Sequence, residues 1–130
     1  MVAFRFSQSP PINFEGDITA AEFVAIDRGT AIVTVNPLAL GISTSATVAQ
    51  IIRDGGGAFS SRKILLVDNL DFSSLTKLSM KVYPTAPVET TVKFKLEGSA
   101  VSVDVNATVT VSGGWATYTW DLSNGDNGSY

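Results

Sequence analysis

The sequence predicts an all-β chain folded as a two-sheet antiparallel β-sandwich, and three observations predict it. Apolar residues recur at every second position in one run after another, which is the period of a half-buried strand. Gly, Pro, Asn and Asp bound these runs, with turn signals about every eight to twelve residues, as a sandwich requires. The length, 130 residues, suits one ordinary domain that buries roughly two-thirds of its unfolded surface around a single core. No linker or internal sequence repeat interrupts it, so one domain over residues 1–130 is expected.

About ten short strands follow in order. Ile12 and Phe14 form the first, before Gly16, and Phe23, Val24 and Ile26 the second. Residues 31–35 form a third, ended by Asn36-Pro37. Residues 44–53 admit two readings. Ala46, Ala49 and Ile52 fit a helical face, whereas the β-branched content and the stop at Gly55-Gly56-Gly57 favour a strand. Residues 64–67 are a compact apolar run before Asp68-Asn69.

The clearest alternation comes next. Leu78, Met80 and Val82 alternate with Ser79, Lys81 and Tyr83; past a turn with Pro84 and Pro87, Val92, Phe94 and Leu96 alternate with Lys93, Lys95 and Glu97. This reads as a central strand pair with one apolar and one lysine-rich face, placing Val82, Phe94 and Leu96 in the core. Val101, Val103 and Val105 repeat the pattern, as do Val109 and Val111 after Asn106. In the last strand Tyr118 and Trp120 share the parity of Ala116 and Leu122 and are assigned to the core. Trp115, beside Gly113-Gly114, is the candidate exposed aromatic, with a packed indole as the competing reading. Residues 123–130 are turn formers apart from Tyr130, so they read as a flexible tail or a loop whose next strand is absent.

Composition removes whole classes of chemistry. The chain has no cysteine and no histidine, which excludes disulfides, thiolate metal sites, Ser-His and Cys-His nucleophile activation and His-ligated zinc. Nine basic against twelve acidic residues give a net charge of −3. The longest basic cluster is Arg62-Lys63, so the electrostatic footprint of nucleic-acid binding is missing. No apolar run approaches the roughly 20 residues of a membrane helix. The start, Met1-Val2-Ala3-Phe4-Arg5-Phe6, lacks a basic segment followed by an apolar one and suggests a chain made in the cytoplasm.

Three side-chain groups invite a functional reading. Lys81, Tyr83, Lys93 and Lys95 combine an aromatic surface for C–H stacking with hydrogen-bond donors, as a sugar platform needs. The competing reading is an ordinary solvated face whose lysines discourage edge pairing. Trp115 is a further candidate contact for a glycan or a partner. Glu15 and Asp17 flank Gly16 and offer hard oxygens for a structural Ca2+, two of the roughly six to eight such a site takes; apart from that ion no cofactor is expected. Other acids sit at turn positions (Asp27, Asp54, Asp68, Asp71), where solvated turn roles explain them, and no enzyme is expected. Gly55-Gly56-Gly57 is a turn and not a phosphate loop, since no Gly-Lys-Ser/Thr follows.

Several segments, in order, resemble a family of jelly-roll carbohydrate-binding-module-like (galactose-binding-like) domains. Members occur in bacterial polysaccharide-degrading proteins and in structural proteins of marine and cyanobacterial phages. The matching pieces include Ile12-Asn13-Phe14-Glu15, Gly41-Ile42-Ser43-Thr44-Ser45, Asp71-Phe72-Ser73-Ser74 and Trp115-Ala116-Thr117-Tyr118-Thr119-Trp120-Asp121. The resemblance covers about residues 12 to 121 and implies a jelly roll, no catalysis and, in some members, a structural Ca2+. It implies a virion structural or surface protein (capsid decoration, neck or fibre domain) whose partners are other virion proteins, copies of itself or a glycan. The alternative is a secreted carbohydrate-binding module, outside the cell. Family members continue past the Trp-rich strand with a further apolar strand. The expectation is therefore that the natural chain extends beyond Tyr130 or that another chain covers residues 116–130 by strand addition.

Overall fold

Strands are the only regular elements among the described residues, which in this computed structural model are 12–16, 23–57, 60–66, 76–97 and 102–121. They are β1 (Val24–Ile26), β2 (Thr30–Val35), β3 (Thr47–Ile52), β4 (Ser61–Lys63), β5 (Lys77–Val82), β6 (Thr91–Glu97), β7 (Ser102–Thr108) and β8 (Ala116–Asp121). Among the described residues every strand pairing is antiparallel, in four two-stranded ladders, and the arrangement is all-β.

The chain gathers into two compact units, Met1–Ala39 with Ser45–Asp68, and Leu40–Thr44 with Asn69–Tyr130. Each has the same nested connectivity. In the first unit β1 pairs with β4 and β2 with β3; in the second β5 pairs with β8 and β6 with β7.

The period-two pattern does its clearest work in the second unit. On the β6–β7 ladder, Val92, Phe94 and Leu96 share one face with Val105 and Ala107, while Lys93, Lys95, Asn106 and Asp104 take the other. On β5–β8, Leu78, Met80 and Val82 lie opposite Trp120, Tyr118 and Ala116. The two apolar faces meet: Phe94 stacks on Trp120 with ring centroids 5.3 Å apart, and Tyr118 stacks on Trp120 at 6.4 Å. Tyr118 and Trp120 are 7% and 4% exposed, as their parity requires, and Leu96 is buried with them. Val82 and Phe94 are only half-buried, because a ladder of two strands leaves the flanks of its inner face open. Beyond β7, Val109 is wholly buried, its N–H donating to the Thr90 carbonyl at 2.8 Å and its carbonyl accepting from Glu89 N–H at 2.9 Å.

Several sequence expectations need correction. The central pair does not exist as read: β5 and β6 lie in different ladders. Asn106 does not separate two strands but sits inside β7 opposite Lys93, and Val109 and Val111 belong to no strand. Residues 64–66 are outside any ladder, because β1 offers β4 only three partners and the pairing ends at Val24↔Lys63. Residues 12–14 are not in a ladder either. The ambiguous 44–53 segment resolves as a strand over Thr47–Ile52. The tail expectation, 123–130, lies outside the described residues.

Candidate functional site

Tyr83 and Trp115 come together at one end of the β5–β8 ladder. The register closes on Val82↔Ala116, so Tyr83 and Trp115 are the next opposing positions. Their rings meet edge to face, with centroids 5.5 Å apart and an interplanar angle of 70°. The surrounding turns are tied by backbone: Gly113 N–H donates to the Pro84 carbonyl at 2.8 Å, and Gly113 takes a φ of 72° that favours glycine. Strand parity sets this pair on the face of Lys81 and Thr117, followed by Ser79 and Thr119, whose hydroxyls are 3.1 Å apart. An aromatic corner, an ammonium group and a row of hydroxyls thus line one face.

Lys93 and Lys95 do not join them. Phe94 turns toward Trp120, so its neighbours on β6 point away from the β5–β8 ladder. Both ammonium groups are engaged on their own ladder, Lys93 with Asp104 at 3.1 Å and Lys95 with Glu97 at 2.8 Å. The hydrogen bond and charge of Glu97 hold the Lys95 ammonium above its ordinary value of 10.5. Both lysines are exposed on that face. The five candidate residues divide accordingly, with Lys81, Tyr83 and Trp115 on one ladder and Lys93 and Lys95 on the other.

Glu15 is exposed, and its carboxylate accepts the Thr47 N–H at 3.2 Å, while the Thr47 hydroxyl donates to the Phe14 carbonyl at 2.6 Å. These two bonds place residues 14–15 along the outer edge of β3. Asp17, the other proposed Ca2+ ligand, lies outside the described residues, and no group of three acidic side chains suited to a metal forms among those described.

Comparison with protein-family models, curated proteins and solved structures finds no match to this chain.

Two features escaped the sequence reading. The first is a knot of polar contacts between the turn after β1 and the connection from β3 to β4. Ser60 Oγ donates to the Arg28 carbonyl, Arg62 to the Gly29 carbonyl, and Asp54 N–H to Ser60 Oγ at 3.1 Å. The backbones approach so closely that a Cβ on Gly29 would lie 2.6 Å from the Ile52 carbonyl oxygen, and the Asp27 side chain fills the space beside Gly57, where a Cβ would lie 2.7 Å from its Oδ2. Arg28 and Asp54 face an open cleft but stand 4.0 Å apart with both side chains largely in solvent, an ion pair of little worth. The knot fastens two loops.

The second is the β2–β3 ladder. Ala31, Val33, Val35, Ala49 and Ile51 share one of its faces with Thr47. Val35 is 76% exposed and Ile51 56%. On the other face Ile32 and Ile52 are also exposed. The signal was available in the sequence, since no charged residue occurs between Arg28 and Arg53. The loop at the closed end of this ladder is firmly held: buried Asn36 donates from Nδ2 to the Ser45 carbonyl at 2.9 Å and accepts the Leu38 N–H on Oδ1 at 2.9 Å.

Proposed function

We propose that this chain is a non-catalytic β-sandwich module of jelly-roll type that works through its surface, as a structural or surface protein of a virion docked to other virion proteins or to copies of itself. The β2–β3 ladder carries the docking part of this reading. Contiguous apolar surface of this kind, free of charge, marks an interaction site on a soluble protein. The inward-facing apolar ladders of the second unit support the sandwich, and the resemblance across residues 12–121 supports the virion.

A second reading has its own observation. The Tyr83–Trp115 corner beside Lys81 and the Ser79–Thr119 hydroxyl pair has the composition of a glycan contact, so the module also suits attachment to polysaccharide. Lys93 and Lys95 stand on the β6–β7 ladder, paired with Asp104 and Glu97, and are not part of this reading.

Sedimentation of the purified full chain from low to high micromolar concentration, paired with a glycan array, separates the two. Docking predicts self-association, or a stable complex with purified structural proteins of the same virion. A strict monomer that binds no such protein, yet retains a glycan lost on Tyr83→Ala, would overturn docking in favour of the attachment module.

A further inference from the structure

Asp54-Gly55 is the only Asp-Gly pair in the chain. It stands in the connection from β3 to β4, soon after the last ladder residue, Ile52, and both of its residues are exposed. An aspartate before a glycine holds an electrophile and a nucleophile one peptide unit apart, the side-chain carboxyl carbon and the next backbone nitrogen. Joining them closes a five-membered ring. In most sequences the side chain of the following residue hinders that approach. Glycine has none, and its backbone rotates most freely.

The local geometry favours closure. Asp54 Oδ1 accepts the Gly56 N–H at 2.8 Å, an Asx turn that folds the carboxyl group back over the Gly55 peptide. Among the described residues none accepts a hydrogen bond from the Gly55 N–H. No described atom lies within 4 Å of the point where a Gly55 Cβ would stand, so the peptide has room to turn. The Asp54 side chain is 47% exposed, which lets water leave and enter with the chain folded. Its contact with Arg28, 4.0 Å and in solvent, is too loose to hold the carboxyl group still.

We propose that Asp54-Gly55 is a site of spontaneous covalent modification in the folded chain, succinimide formation followed by isomerisation to isoaspartate, and that the change loosens the knot between the turn after β1 and the β3–β4 connection. In the first step the Gly55 nitrogen, losing its proton, bonds to Cγ of the neutral Asp54 carboxyl group, whose hydroxyl leaves with a proton as water. In the second, water adds to one of the two ring carbonyls. Breaking the bond from nitrogen to Cγ restores aspartate. Breaking the bond from nitrogen to the backbone carbonyl carbon leaves the main chain running through Cγ, with the former backbone carbonyl now a free carboxylate. Nothing is oxidised or reduced, and the net reaction is an isomerisation. The extra main-chain carbon falls inside the knot. Asp54 N–H donates to Ser60 Oγ at 3.1 Å, and the Asp54 carbonyl that becomes the carboxylate accepts Gly57 N–H at 3.2 Å. Ser60 in turn holds the Arg28 carbonyl, next to the β1–β4 pairing that begins at Ser61.

The test ages the folded full chain in warm neutral buffer over weeks. Electron-transfer fragmentation of a proteolytic peptide that keeps Arg53 joined to Asp54 measures isoaspartate at that position. The Asn-Gly pairs at 124–125 and 127–128 deamidate to the same product but fall in a different peptide. Isoaspartate at residue 54 is expected to accumulate at least as fast as in a synthetic peptide of residues 50–58. It is expected to fall severalfold in Gly55→Ala, a change that leaves room for its methyl group. Hydrogen exchange in the aged chain quickens for the amides of β1 and β4 and stays the same for those of β6 and β7. Conversion much slower in the folded chain than in the peptide, or undiminished in Gly55→Ala, overturns the site. Conversion without faster exchange at β1 and β4 overturns the loosening. If Gly55→Ala does not fold, the comparison of the unmodified chain with the peptide decides.

Discussion

Tyr118 offers a substitution whose sign, and not only its size, reports on the core of the second unit. The residue is 7% exposed, its ring stacks on Trp120 at 6.4 Å, and its hydroxyl is buried with no hydrogen-bond partner among the described residues. A buried hydroxyl left unbonded costs about 1–3 kcal/mol. Tyr118→Phe removes that oxygen and keeps the ring, its stacking and nearly all of its buried area. The void created is too small for a water and forfeits few contacts. Taking the low end of the penalty and subtracting a few tenths for those contacts leaves a gain of about 1 kcal/mol, a rise in melting temperature of roughly 4 °C for a domain of this size. Urea denaturation followed by tryptophan fluorescence measures it, with the midpoint moving up at constant slope and calorimetry giving the temperature shift. A loss of about 1 kcal/mol or more would refute the reasoning, because it would mean the hydroxyl is bonded in the folded chain.

Two further substitutions test other parts of the fold. Asn36→Ala removes the side-chain bonds to Ser45 and Leu38 that hold the loop after β2 and is expected to cost about 2 kcal/mol in the same titration. Lys95 is held above 10.5 by Glu97, so its contribution is fully present below 10.5 and is lost as pH rises through the raised value. Lys95→Met therefore flattens the alkaline limb of a stability-against-pH curve above that point.

Alternation in a sequence states which face a residue takes and is silent on which strand lies beside it. Tyr118, Trp120 and Leu96 were legible as core for that reason, and their burial follows from parity alone. The partner of each strand was not legible from lysines. Lys81 and Lys93 carry the same charge on the same phase of the pattern, yet they stand on ladders whose apolar faces oppose each other. Connection length held the missing information. Eight residues, 83–90, separate β5 from β6, while only four, 98–101, separate β6 from β7. Hairpin loops are usually about 2–5 residues long, so the short connection belongs to a paired hairpin and the long one to a crossing between ladders. Pro84 and Pro87 in the long connection point the same way, since each withholds an N–H from any ladder. The candidate site follows the same rule. Tyr83 and Trp115 are 32 positions apart and meet only because β8 returns to pair with β5 across the intervening hairpin, a contact that no local pattern specifies. The charge-free stretch between Arg28 and Arg53 is the opposite case. It is readable in one pass, but it acquires meaning only once the structure shows that it forms a single ladder whose exposed side chains are apolar.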